Sequence, residues 1–155
     1  MLDIKGNSTN QLVARLSNFT ERLFTFDKVE CTGLEGFLQA LKFCNFEIQK
    51  EICALESREA KRRGSENLIW GNGQILWWCN VAYPRSSREY FNLITRAYDA
   101  VYGQDKSFKE DLLLIGYEEI SHSIGKTDMQ VTVLTEVEML YQLNRLRIRS
   151  FQSNK

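Results

Sequence analysis

Apolar residues recur at helical spacing in several separate stretches of this chain. Between Leu34 and Leu41 they fall at i, i+3, i+4 and i+7, which is the spacing of one buried stripe on an α-helix. A longer stripe of the same kind runs from Tyr90 to Val101 and predicts the strongest helix of the chain. Further helices are predicted over 47–55, from Ser57 to a helix-ending glycine at Gly64, from Ser107 to Gly116, and from Thr135 to about Arg147.

Four of the predicted helix starts carry the pattern of a capping box, in which a Ser or Thr is followed three residues later by a Glu. In such a box the hydroxyl accepts a hydrogen bond from the backbone of the third residue, and the Glu side chain accepts one from the backbone of the first. The four pairs are Thr32 with Glu35, Ser86 with Glu89, Ser107 with Glu110, and Thr135 with Glu138.

Short strands are predicted between the helices. Residues 23–26 and 29–31 alternate apolar and polar positions on either side of Asp27-Lys28, which predicts a hairpin. Residues 68–83 place aromatic and apolar side chains around a Gly-Asn-Gly turn, which favours strand or close-packed loop, and residues 131–134 resemble a short strand. The predicted fold class is therefore α+β, mainly α, with several helices and a few short strands.

The length favours one domain over residues 1–155. Its first part, residues 1–15, is expected to form a loop and strand lead-in, and residues 148–155 a C-terminal tail. The apolar content, 43% of the residues, is enough for a hydrophobic core, so an intrinsically disordered chain is excluded.

The charge balance excludes further classes of protein. The chain has 20 Lys and Arg against 20 Asp and Glu, so its net charge is zero, whereas a general nucleic-acid coat protein needs a large cationic excess. The single histidine, His122, excludes a histidine-rich metal centre. We expect neither a metal nor a cofactor.

The cysteines and the apolar segments indicate a cytoplasmic protein. No pair of cysteines has the C-x-x-C spacing of a zinc knuckle or a redox site. The N-terminal residues lack the apolar run of a signal peptide, and no stretch reaches membrane-spanning length. We therefore expect reduced thiols, a cytoplasmic location and no membrane contact. The four cysteines are Cys31, Cys44, Cys53 and Cys79.

One helix face carries a candidate for acid–base chemistry. Glu35, Gln39 and Lys42 lie at i, i+4 and i+7 beside the apolar stripe. A carboxyl group that is partly desolvated there would have a raised pKa and could act as a general acid or base. The alternative is that Glu35 only completes the capping box with Thr32.

A second candidate is the segment from His122 to Asp128, which holds the only histidine together with Gly125 and Lys126. The glycine would let backbone amides approach a phosphate, with the lysine as the counter-charge. The segment is not a P-loop, because Ile120 stands where that motif needs its first glycine. The alternative is an ordinary polar loop.

Two further groups of residues are consistent with a nucleotide ligand. Clustered cations on a short helix could bind a pyrophosphate, although a helix C-terminus also attracts cations through its dipole. Aromatic side chains could stack on a base, although such residues are more often part of a core. The cations are Arg58, Lys61, Arg62 and Arg63, and the aromatic residues are Trp70, Trp77, Trp78 and Tyr83.

An ordered series of motifs resembles the NADAR family, whose domains are associated with NAD and ADP-ribose metabolism. The segment from Phe24 to Phe43 resembles the family's strand followed by a helix of type Ser-x-Glu-x-x-x-Gln-Ala-x-Lys-Phe, with Glu35, Gln39 and Lys42 at its defined positions. The other matching segments are Leu16-Ser17-Asn18-Phe19, Ala60-Lys61-Arg62-Arg63-Gly64, Leu112-Leu113-Leu114-Ile115-Gly116 and Leu143-Asn144-Arg145-Leu146-Arg147.

The resemblance implies a NADAR-like fold and an N-glycosidase that cleaves the bond between a ribosyl C1 and a nitrogen. The implied substrates are an ADP-ribosylated nucleobase of the guanine type, on DNA or RNA, or a phosphoribosyl-type intermediate of riboflavin synthesis. Glu35 matches the catalytic glutamate of the family. The residues expected to bind the ADP-ribose-like or phosphoribosyl ligand are Ser17, Asn18, Gln39, Lys42, Lys61, Arg62, Trp70, His122 and Asp128.

The chain departs from the family pattern at two places. Val101-Tyr102 stands where the family has Lys-Phe, so a pocket lysine is missing, and Lys126 is expected to take its catalytic place. The segment from His122 to Asp128 replaces an acidic segment that ends in Trp-Gly. These departures leave open an alternative function, a non-catalytic module that binds ADP-ribose, another nucleotide or a partner protein.

Overall fold

Helices dominate the fold, and the strands are short. The computed structural model describes residues 1–67 and 69–154, and in these ranges the helices are α1 (Gln11–Arg15), α2 (Leu34–Ala40), α3 (Phe46–Cys53), α4 (Ser57–Ser65), α5 (Ile69–Gly73), α6 (Arg88–Gln104), α7 (Lys106–Leu114) and α8 (Glu136–Ser153). The strands are β1 (Leu2–Asp3), β2 (Glu21–Phe26), β3 (Val29–Gly33), β4 (Ile75–Trp78), β5 (Val81–Pro84) and β6 (Ile120–Ser121). The predicted class, α+β and mainly α, is confirmed.

Helix α2 lies at the centre of the core, and all of its residues are buried. The ring of Phe37 meets Phe26 of β2 and Trp78 of β4 edge-on, with centroids 5.4 Å and 4.9 Å away. Gly36 permits the close approach of α3, because a Cβ atom there would lie 3.1 Å from the carbonyl oxygen of Ile52. The predicted apolar stripe of this helix is therefore confirmed as a core contact.

Two hairpins flank α2, and both turn through residues in the left-handed region. The predicted hairpin β2–β3 is confirmed, with φ of 48° at Asp27 and 68° at Lys28. The hairpin β4–β5 turns at Cys79 and Asn80, with φ of 49° and 69°. Two-residue turns with positive φ match the twist of antiparallel strands.

The Gly-Asn-Gly segment is not the turn of the second hairpin, contrary to the prediction, because it lies inside α5. Residue 68, the first of that predicted segment, lies outside the described residues.

Only one of the four predicted capping boxes forms. Thr135 Oγ1 accepts from the Glu138 amide at 3.2 Å, and the Thr135 amide donates to the Glu138 carboxylate at 2.7 Å. The other three helices have N-caps at Gly33, Ser87 and Asp105. At the last two of these starts, the side chains of Ser87 and Asp105 accept the hydrogen bonds of the first-turn amides, in place of the predicted Ser86 and Ser107.

Three other predictions about local structure are corrected. Residues 131–134 form a loop and not a strand, held by the Tyr90 hydroxyl, which donates to the Val133 carbonyl at 2.6 Å. Helix α8 extends to Ser153 because its last turns still bury Leu146 and Ser150, so most of the expected tail is helical. The expected loop and strand lead-in also contains the short helix α1.

The start of the chain pairs with a distant segment. Strand β1 lies parallel to β6, with Leu2 opposite Ile120 and Asp3 opposite Ser121. The Asp3 carboxylate also accepts hydrogen bonds from the amide, at 2.7 Å, and the hydroxyl of Ser123. Residues 2–4 therefore hold the beginning of the loop that follows β6.

None of the helices in residues 1–67 and 69–154 combines the length and the apolar character needed to cross a membrane. All four cysteines are free thiols.

Candidate functional site

A cavity of about 340 Å³ lies between α2, α4, the segment before β2 and the loop between β6 and α8. It brings together all but two of the residues that the sequence placed at the site. A volume of this size is within the range of small-ligand sites. The predicted residues that line it are Ser17, Asn18, Glu35, Gln39, Lys42, Lys61, Trp70, His122 and Lys126.

Arg62 and Asp128 do not line the cavity, although the sequence placed both at the site. Arg62 points away from it and pairs with Glu59 and Glu66, each at 2.9 Å. Successive helical residues point about 100° apart, so Lys61 can face the cavity while its neighbour faces solvent. Asp128 is exposed and accepts from the amide of Gln130 at 2.9 Å.

Glu35 is the buried acid of the cavity, with 8% of its surface exposed. Its carboxylate accepts from Gln39 Nε2 at 2.8 Å, one helical turn along α2. It does not cap the helix, since the Thr32 hydroxyl donates instead to the Ala54 carbonyl at 2.9 Å. The capping-box alternative is therefore contradicted, and the side chain is free to face the cavity.

Burial raises the pKa of the Glu35 carboxyl above its usual value, because the charged form is desolvated. The hydrogen bond from Gln39, the positive charges of Lys61 and Lys42, and the charge that His122 carries when it is protonated act in the opposite direction without cancelling the effect. Glu35 consequently keeps a proton to a higher pH than an exposed glutamate does, which suits a proton donor.

Gly64 gives Gln39 the space it occupies. A Cβ atom on Gly64 would lie 1.8 Å from Gln39 Oε1, and that oxygen is buried with no hydrogen-bond partner among the described residues. The prediction that Gly64 ends its helix is wrong, since α4 continues to Ser65. The glycine is needed because the Gln39 amide lies directly against α4.

Three ammonium groups surround the same cavity. Lys42 is half-buried and donates to the Gly64 carbonyl at 3.4 Å, while Lys61 Nζ lies 5.1 Å from the centre of the Phe19 ring. Desolvation lowers the pKa of Lys42, and the charges of Lys126 and Lys61 lower it as well, while the negative charge of Glu35 acts in the opposite direction without cancelling the effect. Within residues 1–67 and 69–154, one carboxyl and three lysines line the cavity, so it is a local cationic site that suits an anionic ligand.

His122 enters the cavity from the loop after β6. Its Nδ1 lies 2.6 Å from the carbonyl oxygen of Ile4. Gly125 lies against the opposite edge of the ring, where a Cβ atom would stand 2.4 Å from His122 Cδ2. The ring is therefore positioned from both sides.

The aromatic candidates divide between cavity and core. Trp70 lines the cavity, whereas Trp78 packs between Phe26 and Phe37. Trp77 and Tyr83 are partly buried against the core. Only Trp70 among these four is therefore placed to contact a ligand.

Sequence reasoning missed residues that complete or support the site. Tyr98, which the periodicity assigns only to the core, donates through its hydroxyl to Asn18 Oδ1 at 2.8 Å. The Glu35 amide also donates to the Asn18 carbonyl at 3.2 Å, so Asn18 is held by two elements. The segment from Val131 to Leu134 lines the cavity too, and no sequence signal indicated it, because the same residues resemble a strand.

Among residues 1–67 and 69–154, no group of three His, Cys, Asp or Glu side chains is arranged to hold a metal ion.

The fold and the site define a mainly helical α+β domain with a cationic cavity around one buried carboxyl. The chain belongs to the family described as bacteriophage protein GP30.3, which matches residues 11–148. It is similar to a protein of Enterobacteria phage T4 described as an "uncharacterized 17.1 kDa protein in Gp30-rIII intergenic region". The two are 35% identical over 133 residues, which is 85% of this chain and 88% of the phage T4 protein. No solved structure matches the chain.

Proposed function

We propose that this chain is a NADAR-like N-glycosidase, which hydrolyses the bond between a ribosyl C1 and the nitrogen of a nucleobase or amine. The observation that carries the proposal is the position of Glu35, a buried carboxyl that faces a ligand-sized cavity and does not cap its helix. The ordered motifs that resemble the NADAR family support the same role for this residue.

The chemistry of the bond matches the properties of Glu35. Cleavage of a ribosyl C–N bond builds positive charge on the sugar, and the departing nitrogen needs a proton. The raised pKa lets the Glu35 carboxyl bring that proton, and the carboxylate left behind stabilises the cationic sugar. One side chain thus meets both requirements.

The lysines of the cavity suggest the class of substrate. Lys42, Lys61 and Lys126 would bind the phosphates of an ADP-ribosyl or phosphoribosyl group, and Trp70 offers an aromatic face to a base. In this role Lys126 supplies, from another loop, the cavity lysine that is missing at Val101. The proposed substrates are an ADP-ribosylated guanine in nucleic acid and a phosphoribosyl-type intermediate.

We also propose that the protein works in the cytoplasm, because its four free thiols suit a reducing compartment.

One observation favours the second candidate, a module that binds ADP-ribose or another nucleotide without cleaving it. Val101, at the position of a family lysine, is completely buried in α6 and contributes no amine to the cavity. Three lysines are enough to hold a phosphate, whereas turnover also needs the acid.

Turnover and affinity, measured on the same variants, separate the two candidates. Wild type and Glu35→Gln are incubated with ADP-ribosylated guanosine DNA, and the release of ADP-ribose is followed. Titration calorimetry with ADP-ribose gives the affinity of each protein. The glycosidase predicts turnover in wild type and a loss of about 10²-fold or more in Glu35→Gln, with the affinity retained.

Binding without turnover in both proteins would favour the module. If wild type neither binds ADP-ribose nor cleaves the DNA adduct or a phosphoribosylamine substrate, both candidates are wrong.

A further inference from the structure

We propose that His122 is the general base of this site, and that its Nε2 takes the proton of the attacking water. This inference rests on the proposed hydrolysis and deepens it, since it assigns the second proton-transfer step to a residue outside the motifs that resemble the NADAR family. The evidence for this role is the geometry of the His122 ring and the set of ionisable side chains that line the cavity.

The hydrogen bond to Ile4 fixes which nitrogen of the ring carries the proton. A backbone carbonyl can only accept, so at 2.6 Å the Nδ1 of His122 must be the donor. In the neutral ring Nε2 then has a free lone pair and can accept a proton. The backbone of Ile4 therefore sets the tautomer that a general base requires.

Gly125 is the close neighbour of the ring edge that carries this lone pair. The Nε2 and Cδ2 edge of His122 lies against Gly125, where a Cβ atom would be 3.1 Å from Nε2 and 2.4 Å from Cδ2. Among residues 1–67 and 69–154, no protein group forms a hydrogen bond with Nε2. A side chain at residue 125 would collide with this edge, so the glycine is what keeps that position from covering Nε2.

The composition of the cavity leaves few alternatives for a base. Besides Glu35 and His122, the ionisable side chains that line it within the described ranges are the three lysines. A lysine that holds a phosphate is positively charged and does not accept a proton. With Glu35 as the acid, His122 is the remaining group of the cavity that can act as the base.

The two roles give a balanced reaction. An O–H bond of water breaks, its proton moves to His122 Nε2, and the oxygen forms a bond with the ribosyl C1. The C1–N bond breaks, and the leaving nitrogen takes the proton of Glu35. Proton transfer from His122 to Glu35 through solvent then restores both groups.

The start of the chain positions this base. Asp3 binds the amide and the hydroxyl of Ser123, the residue next to His122, and Ile4 binds the ring itself. The carbonyl that fixes the tautomer therefore belongs to Ile4, the residue directly after β1, and β1 has its own hydrogen bonds to the same loop.

Nitrogen NMR tests the tautomer without any substrate. Since the chain has one histidine, ¹⁵N-labelled protein gives the signals of a single imidazole. At a pH where the ring is neutral, we expect Nδ1 to show the shift of a protonated nitrogen and Nε2 that of an unprotonated one. The opposite tautomer would overturn the proposal.

A conservative variant tests the chemistry. In His122→Asn, the side-chain amide can replace Nδ1–H as the donor to the Ile4 carbonyl, but no group replaces Nε2. We expect turnover of ADP-ribosylated DNA at saturating substrate to fall by about 10²–10⁴-fold, a far larger effect than any change in the affinity for ADP-ribose or in the thermal midpoint. His122→Ala serves as the variant that also loses the hydrogen bond to Ile4.

The outcomes separate this inference from the proposed function. If wild type is active, Glu35→Gln is inactive and His122→Asn keeps its turnover within about threefold, the glycosidase stands and the role of His122 is wrong. If wild type has no turnover that depends on Glu35, the glycosidase fails and this inference fails with it. A loss of turnover at saturating substrate in His122→Asn that far exceeds its change in affinity for ADP-ribose supports both.

Discussion

At the scale of single residues, Glu35 lies where its charge costs stability. Its pKa is higher in the folded protein than in the unfolded chain, so the folded state binds the proton more tightly. The cost is present while the group is ionised in the folded state, and it disappears as the pH falls below the usual glutamate value of 4.5. Neutralising this side chain should therefore stabilise the fold at neutral pH.

We expect Glu35→Gln to be more stable than wild type by about 1 kcal/mol at pH 7, which is about 2–4 °C in Tm. The difference should shrink as the pH is lowered toward 4, where wild type becomes protonated as well. Thermal unfolding at several pH values measures it. A variant that is less stable at pH 7, by an amount independent of pH, would contradict the assignment.

Gly64 is the second such residue, because the Gln39 side chain fills the space that a Cβ atom on residue 64 would need. In Gly64→Ala the new methyl group would meet the Gln39 amide, which must move away and give up its hydrogen bond to Glu35. We expect a loss of about 1–3 kcal/mol in the free energy of unfolding. Urea unfolding of Gly64→Ala, Gln39→Ala and the double variant gives a double-mutant cycle, which measures whether the two effects are coupled. The double variant should lose less stability than the sum of the two single losses, by about 1 kcal/mol or more, because the new methyl group then has no Gln39 amide to displace.

The matched control for that cycle is Gly71→Ala, because a Cβ atom at Gly71 meets nothing within 4 Å. Additive effects of Gly64→Ala and Gln39→Ala would show that the two side chains do not compete for space.

At the scale of elements, the sequence predicts best those elements whose pattern reports burial. The stripe of α2 and the hairpin at Asp27 were predictable because alternation and helical spacing record which positions face the core. Three of the four capping boxes were not predictable, because other groups compete for the hydrogen bonds of Thr32, Ser86 and Ser107. The sequence pattern does not show which of the competing hydrogen bonds forms. For Thr32 that competitor is the Ala54 carbonyl, which is distant in sequence and comes close only in the folded chain.

The candidate site shows the same division. The face of Glu35, Gln39 and Lys42 follows from helix geometry and was predictable. Whether Lys61 or Arg62 faces the cavity depends on how α4 is rotated against α2, which sequence spacing alone does not specify. The contribution of Val131–Leu134 depends on tertiary contacts such as the one from Tyr90, so it could not be predicted.

The tether between β1 and the following loop gives a prediction at this scale. Hydrogen bonds from Ser123 lower the pKa of Asp3 to about 2, so its carboxylate is ionised over the physiological range. A lowered pKa stabilises the fold above the unfolded value of 3.8, and this contribution is lost as the pH falls through about 2. The tether should therefore persist at every pH at which the site is expected to work.

We expect Asp3→Ala to speed hydrogen exchange of the amides in residues 121–126 several-fold at pH 7, with little change in Tm. The reason is that the carboxylate holds this loop locally while most of the core lies elsewhere. Glu119→Ala, which removes an exposed acid close in sequence, is the control. Equal exchange in both variants would show that the tether does not order the loop.

At the scale of the whole molecule, a chain of zero net charge concentrates three lysines around one cavity. Attraction of an anionic ligand must therefore come from the cavity and not from the overall charge. We expect the Kd for ADP-ribose to rise about tenfold in Lys61→Ala, the loss expected for one charged hydrogen bond. Lys106→Ala, which removes an exposed charge from α7, should leave the Kd unchanged.

Titration calorimetry measures both values, and repeating it at high salt should weaken wild-type binding more than that of Lys61→Ala. Equal Kd values for Lys61→Ala and Lys106→Ala would show that the ligand does not contact Lys61.

The bond between His122 and Ile4 joins residues 118 positions apart in the chain. Contacts of such separation form late in folding, because the entropy of closing a long loop is lost before the contact repays it. Helices α6 and α8, by contrast, can form from local interactions. In a refolding experiment, the far-UV circular dichroism signal of the helices should therefore return before the capacity to bind ligand. The delay between the two would measure how late residues 2–4 dock against the loop that carries His122.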